Sequence, residues 1–226
     1  DGTPWKDRNR ETWITCRMAH VYSLGLMLGH EGSGELADAA LKGLKGELHD
    51  EKNGGWYAGV TPEGDIVPNK QCYAHAFVIL AASSALTAGR PGAKELLEEA
   101  LAVYDRHFWN EEEGLACDTW NTEFTVLDDS RGLNANMHTV EAFLAAGDVT
   151  GDKKYHIRAG RIIDHVIGWA EDNNWRIPEH FTKEWVADLD CNRDRPDDPF
   201  KPCGATPGHG IEWARLITQW TLANCG

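Results

Sequence analysis

Two four-residue stretches carry one device. His138-Thr139-Val140-Glu141 and His209-Gly210-Ile211-Glu212 each place a Glu three residues after a His and run into an apolar helical pattern. Residues three apart share a helix face, so each imidazole has a carboxylate beside it that can orient the ring and tune its basicity. That is equipment for acid/base proton transfer. Asn134-Ala135-Asn136 precedes the first pair and Thr206-Pro207-Gly208 the second. This is turn and cap chemistry, which puts both histidines at helix mouths, where free backbone donors and the positive dipole end favour a polar or developing anionic ligand. The four side chains also have the ligand types for a single metal ion.

Other candidates are single residues. Arg17 lies in an apolar helical stretch between Trp13 and Val21, where an unpaired charge is costly, so it either pairs with an internal carboxylate or faces a polar pocket. The pocket is the expected answer. Tyr73 and Trp13 suit either a core or a site. Asp188, Asp190, Asp194, Asp197 and Asp198 read as a solvated acidic loop.

The elements that must position these groups are helices. Apolar residues recur at helical spacing from Trp13 to Leu24, Leu36 to Leu48, Tyr73 to Leu86, Leu96 to Phe108, His138 to Val149, Tyr155 to Trp169 and Ile211 to Leu222. The breaks between them are rich in Gly, Asn and Pro, and the stretch around Asn53-Gly54-Gly55 and Pro62-Glu63-Gly64-Asp65 has the makings of a small hairpin. The helices led by Trp13, Tyr73, His138 and His209 occupy equivalent places at intervals of roughly 60 to 70 residues, the spacing of helix pairs with functional loops. The expected fold is all-α, an α/α toroid whose inner helices line a pocket. Between Asp172 and Thr206 no helix is legible, and this stretch holds Glu179-His180-Phe181 and Trp185.

Composition narrows the partners. A formal charge of −14 over 226 residues argues against nucleic acid and anionic membranes, whose binding rests on Lys and Arg. Ten Trp against five Tyr and six Phe favours a small sugar, since flat indole faces suit such sites. Cys16, Cys72, Cys117, Cys191, Cys203 and Cys225 form no C-x-x-C pair and read as reduced thiols. With no apolar run of membrane length and no leader after Asp1, a soluble cytoplasmic protein is expected.

Six segments, taken together and in order, resemble one family. Trp13-Ile14-Thr15-Cys16-Arg17-Met18, Gly54-Gly55-Trp56-Tyr57, Lys70-Gln71-Cys72-Tyr73-Ala74-His75, Asn134 through Glu141, Glu179-His180-Phe181, and Thr206 through Trp213 are similar to the N-acylglucosamine 2-epimerase superfamily. Within it the likeness is to the bacterial aldose-ketose isomerases of the mannose and sulfoquinovose type. The resemblance implies an (α/α)6 barrel, no required metal or other cofactor, and isomerisation of an open-chain sugar through an enediolate between C1 and C2. It implies Arg17 and Tyr73 as sugar contacts, with Trp13 and His180 beside them. Asn134 and His138 would bind or polarise the sugar, and His209 with Glu212 would supply half of the acid/base machinery. Deprotonating a carbon next to a carbonyl needs a base near neutral pH and a donor for the oxyanion, which His and Arg supply.

Three departures shape the expectation. The family's barrel needs about six helix pairs and a second catalytic His on a late inner helix, whereas about three and a half pairs are legible here. Residues 1–226 are thus expected to form one partial barrel domain without its C-terminal helices, partnered by a second copy or by the missing half. A sulfosugar enzyme is expected to carry an added arginine before the Thr-Pro-Gly-His motif. Here Asp197-Asp198-Pro199-Phe200-Lys201 stands there, which favours an uncharged hexose while Lys201 keeps the sulfoquinovose alternative open. Thr182 occupies a position where relatives have Asp. The expected activity is mannose to fructose isomerisation, with a 2-epimerase of the N-acylglucosamine or cellobiose type as the alternative.

Overall fold

The computed structural model describes Thr3, residues 5–198 and residues 201–224. Seven helices are present among them: α1 (Thr12–Met27), α2 (Ser33–Lys45), α3 (Cys72–Thr87), α4 (Ala93–His107), α5 (Leu133–Thr150), α6 (Lys153–Asp172) and α7 (Pro207–Asn224). Each falls on one of the expected apolar stretches. The remaining regular structure is nine strands of two or three residues: β1 (Arg10–Glu11), β2 (Gly59–Val60), β3 (Ile66–Val67), β4 (Asn69–Gln71), β5 (Trp109–Asn110), β6 (Leu115–Ala116), β7 (Thr119–Asn121), β8 (Arg131–Gly132) and β9 (His180–Phe181).

Residues 1–108 with 119–127 form one compact unit, and residues 109–118 with 128–226 form a second. In the first unit α1 packs on α2 and α3, and α3 packs on α4. Helix α3 buries 13 of its 16 residues, so it is apolar all round and central, whereas α2 buries only Ser33, Ala37, Leu41 and Leu44 on one face. Gly32 and Gly92 precede α2 and α4 with φ of 77° and 69°, a left-handed turn that glycine adopts without a Cβ clash. The expected hairpin is β2 against β3, closed by Thr61 N–H donating to Asp65 O at 2.8 Å. Asn53-Gly54-Gly55 instead makes a separate turn around the buried Asp50 carboxylate, which pairs with Lys70 at 2.7 Å.

In the second unit α5 packs on α6, and α7 packs on both. Helix α5 buries 12 of its 18 residues, α3's counterpart. A short strand leads straight into each of α1, α3 and α5: β1, β4 and β8 respectively. For α5 the lead-in is β8, paired antiparallel with β9 through Arg131↔Phe181 and Gly132↔His180. No described helix is long and apolar enough to cross a membrane, and the five described cysteines are free thiols. Cys225, Pro199 and Phe200 lie outside the described residues, and with them part of the Asp197–Lys201 reading.

Candidate functional site

The second unit holds both His-Glu stretches, and its geometry differs from expectation in two ways. Helix α5 starts at Leu133, so Asn134 and Asn136 lie inside its first turn and His138 sits in the second, not at the mouth. The cause is Asn136. Its buried amide accepts from Ala116 N–H at 2.9 Å and donates to Ala116 O at 3.0 Å, completing a ladder with the end of β6 that capping chemistry does not anticipate. His138 is buried, and its Nδ1 lies 3.1 Å from Glu141 Oε2, the neighbour that i,i+3 spacing selects.

His209 is the third residue of α7 and does sit at a helix mouth. Its carboxylate partner is Glu179, not Glu212: Nδ1 lies 3.0 Å and 2.9 Å from the two Glu179 oxygens. Glu179 is only 3% exposed and ties three elements together. Its side chain accepts from Thr206 N–H at the start of α7, its carbonyl accepts from Leu133 N–H at the start of α5, and its own N–H donates to Gly204 O, each at 3.0 Å. The Glu179 carboxylate raises the His209 imidazole above its ordinary value, against burial and with help from the Glu212 charge. This shifts the balance toward the imidazolium, in which Nδ1–H is committed to Glu179 and Nε2–H is left as a proton donor.

Glu212, one turn further along α7, reaches the other histidine. Single ligating atoms of His138, Glu141 and Glu212 all lie within 4.8 Å of one another. His209 is not part of this trio. Arg215 joins it from α7, donating to Glu141 Oε1 at 2.6 Å and lying 3.8 Å from Glu212 Oε1. Burial pushes the Glu141 carboxyl up, but His138 and Arg215 outweigh it and hold it at about 2. The carboxylate that orients His138 is therefore ionised throughout the working range.

Asn134 Oδ1 is buried and has no hydrogen-bond partner among the described residues. An unsatisfied buried acceptor is costly, and a hydroxyl donor from a ligand would remove that cost. His180, on β9, has its Nε2 2.8 Å from Pro202 O, so the loop backbone occupies that nitrogen. Lys201 Nζ lies 3.5 Å from Ser130 Oγ and acts electrostatically on Asp118 and Asp128. Loss of water around Asp118 raises its carboxyl to about 7, opposed by Arg131, Lys201 and the Gly132 N–H.

The first unit holds a separate cluster. Arg17 is exposed, donates to Tyr73 Oη at 3.2 Å, and stacks its guanidinium 5.0 Å from the Trp13 ring centre and 4.6 Å from that of Phe77. Trp13 meets Tyr73 edge-on at 6.1 Å. No carboxylate pairs with Arg17 among the described residues, so aromatic faces rather than an ion pair hold it. His75 is structural in its bonding: Nε2 accepts from Trp56 N–H at 3.0 Å, and burial lowers its pKa to about 3.

Glu179, Arg215, Asp118 and Phe77 were not singled out by spacing. Arg215 had a legible signal, three residues after Glu212 on one helix face. Glu179 stood beside His180, but its target lies 30 residues away across a loop without periodicity.

Comparison with known proteins places the chain in a lineage. The chain is 45% identical over 220 residues to a D-mannose isomerase of Thermobifida fusca, an alignment covering 96% of this chain and 54% of that protein. A crystal structure of D-mannose isomerase superposes with a TM-score of 0.92 at 28% identity, over 99% of this chain and 58% of the other. A cellobiose 2-epimerase from Spirochaeta thermophila DSM 6192 shares the fold, with a TM-score of 0.83 at 18% identity over 98% of this chain and 55% of that one. The chain thus spans about half the length of these relatives. The helical pairs are those of an (α/α)6-type fold. The model of the N-acylglucosamine 2-epimerase (GlcNAc 2-epimerase) family matches residues 1–225, and with the helical pairing and the ordered motifs this establishes that the chain belongs to that family.

Proposed function

We propose that this chain belongs to a cofactor-free aldose-ketose isomerase that interconverts mannose and fructose by histidine proton transfer. The observation that carries the reading is the pair of imidazoles in one unit, each with Nδ1 on its own carboxylate, His138 on Glu141 and His209 on Glu179. Carboxylate-held imidazoles are suited to move protons at a carbon beside a carbonyl. The 45% identity to a D-mannose isomerase supports the choice of sugar.

In the proposed reaction the Glu212 carboxylate takes the C2 proton of the open-chain aldose, the electrons of the C2–H bond form C1=C2, and the carbonyl electrons leave negative charge on O1. Glu212 returns the proton at C1 while the O2 hydroxyl passes its own to His209, replacing the one given to O1, so that aldose and ketose have the same composition. His209, whose imidazolium form Glu179 favours, donates toward the developing oxyanion at O1, and Glu212 is the carboxylate one turn along that carries the C2 proton. Asn134 and His138 polarise the sugar. Arg17, Tyr73, Trp13 and His180 are proposed sugar contacts, the first three supported by the exposed cation on an aromatic bed and the last through its loop. An uncharged hexose is favoured because Lys201 is engaged with Ser130 and neighbouring carboxyl groups. The reading extends to a cytoplasmic location, supported by the free thiols. The alternative, a 2-epimerase, is favoured by the name of the matching family model.

Proton NMR of mannose incubated with the protein in D2O tests this. Fructose with deuterium at C1 supports the isomerase. A C2 epimer alone supports the epimerase, and an unchanged aldose defeats both. His209→Ala should abolish turnover while leaving sugar binding within about threefold, whereas Arg17→Ala should weaken binding as well.

A further inference from the structure

The trio formed by His138 and Glu141 on α5 with Glu212 on α7 has the donor set of a divalent-metal site: one imidazole and two carboxylates whose ligating atoms lie within 4.8 Å. Such a donor set suits a cation, because two carboxylates at this separation repel each other unless a positive charge lies between them. Here a cation is already covalently supplied. The Arg215 guanidinium donates to Glu141 Oε1 at 2.6 Å and lies 3.8 Å from Glu212 Oε1, while Glu141 Oε2 takes the His138 ring at 3.1 Å. Both oxygens of Glu141 are thereby in use, one on each partner.

We propose that Arg215 is the resident counter-cation of this cluster, occupying the role a divalent ion would take among His138, Glu141 and Glu212 and so keeping a latent metal site closed. Arg suits the task because its guanidinium stays charged at every working pH and binds carboxylates through fixed donors. Its attachment to the same helix as Glu212, three residues on, means that the counter-charge arrives with the carboxylate and cannot be chelated away. Arg215 is in this sense a positioning residue, acting on the two carboxylates rather than on substrate. Its role does not depend on which sugar is turned over.

The test is cobalt(II) binding by calorimetry and visible absorbance, with the wild-type chain beside Arg215→Ala, Arg215→Met and Arg215→Lys. The two neutral variants are expected to bind cobalt(II) at least tenfold more tightly than wild type, and Arg215→Lys to stay near wild type because a cation remains. Adding Glu141→Gln to Arg215→Ala should return the affinity to the wild-type level, which assigns the ion to this cluster. Circular dichroism checks folding, and Arg215→Met keeps the apolar stem should Arg215→Ala unfold. Wild type binding as tightly as the neutral variants would overturn the proposal, since the guanidinium would not then exclude the ion. Native-like neutral variants with no gain in affinity would overturn it equally. Neither readout requires turnover, so a failed isomerase reading leaves a different trace: no aldose-ketose conversion, with the cobalt(II) series unaffected.

Discussion

With both Glu179 oxygens within 3.0 Å of His209 Nδ1, the state of that imidazole is set by a residue 30 positions away. A histidine whose pKa is higher folded than unfolded contributes stability that is full below its ordinary value, near 6.5, and lost as pH rises through the folded value. Glu179→Gln removes the charge and keeps the shape. It should cost about 2 kcal/mol at pH 6, the range for a hydrogen bond to a charged group, and clearly less at pH 9. Urea unfolding at the two pH values measures this, and an equal loss at both would deny the ionic pair. The same substitution should lower the His209 midpoint in an NMR titration. Lys70 gives a second residue-scale expectation, because it is fully buried against Asp50 and donates also to Gly54 O. Burial raises the Asp50 carboxyl, yet Lys70 and the Asn53 donors outweigh it and keep it below the usual carboxylate range. Lys70→Met strands that charge and should cost about 3–5 kcal/mol by denaturant unfolding at neutral pH. The pair's contribution is present above the unfolded value near 3.8 and disappears as pH falls through the lower folded value. The Asp50→Asn/Lys70→Met double variant should recover part of the loss.

At the scale of elements, α6 contains its own controlled comparison. A Cβ on Gly160 would meet Trp220 Cζ2 of α7 at 2.6 Å, whereas one on Gly168 would meet nothing within 4 Å. Trp220 is held by its indole N–H donating to His156 O at 2.8 Å, so it does not swing aside freely. Gly160→Ala should therefore destabilise the protein by about 1–3 kcal/mol through overpacking. Gly168→Ala should stabilise it by about 0.5–1 kcal/mol through helix propensity. Thermal unfolding of the two variants decides, and the same sign for both would mean that α7 does not rest on Gly160. The seven helices were legible because each presents an apolar stripe long enough to establish a period. Of the nine strands only the β2–β3 hairpin was, through its Pro62-Glu63-Gly64-Asp65 turn, since two or three residues carry no period and their partners are set by what the helices bring together. Likewise the His138–Glu141 contact follows from one turn of helix, and the Glu179–His209 contact from the folding of a loop. The start of α5 was displaced by reading Asn134 and Asn136 as caps, when the Asn136 amide is spent on Ala116.

For the molecule as a whole, one face of α1 presents apolar side chains to water. Ile14, Met18, Val21 and Leu24 follow helical spacing and are exposed by 43%, 44%, 56% and 40%. A contiguous stripe of this kind favours association. Sedimentation velocity of the chain should show concentration-dependent self-association that the Met18→Glu/Val21→Lys variant reduces, and a monomer at every concentration would contradict it. The net charge of −14 works the other way, so added salt should strengthen association rather than weaken it.

The backbone bond from Glu179 N–H to Gly204 O draws the chain together at 3.0 Å just before β9 and just ahead of α7. The described residues between leave and return through one neck, tied on the way by β9 against β8 and by Trp185 Nε1–H donating to Glu113 at 3.1 Å, while Glu179 and His209 stand on the trunk side of it. Loop length costs little, about 0.6 kcal/mol per doubling, so insertions in the part of this excursion beyond β9 should leave the Glu179–His209 hydrogen bonds below the neck in place.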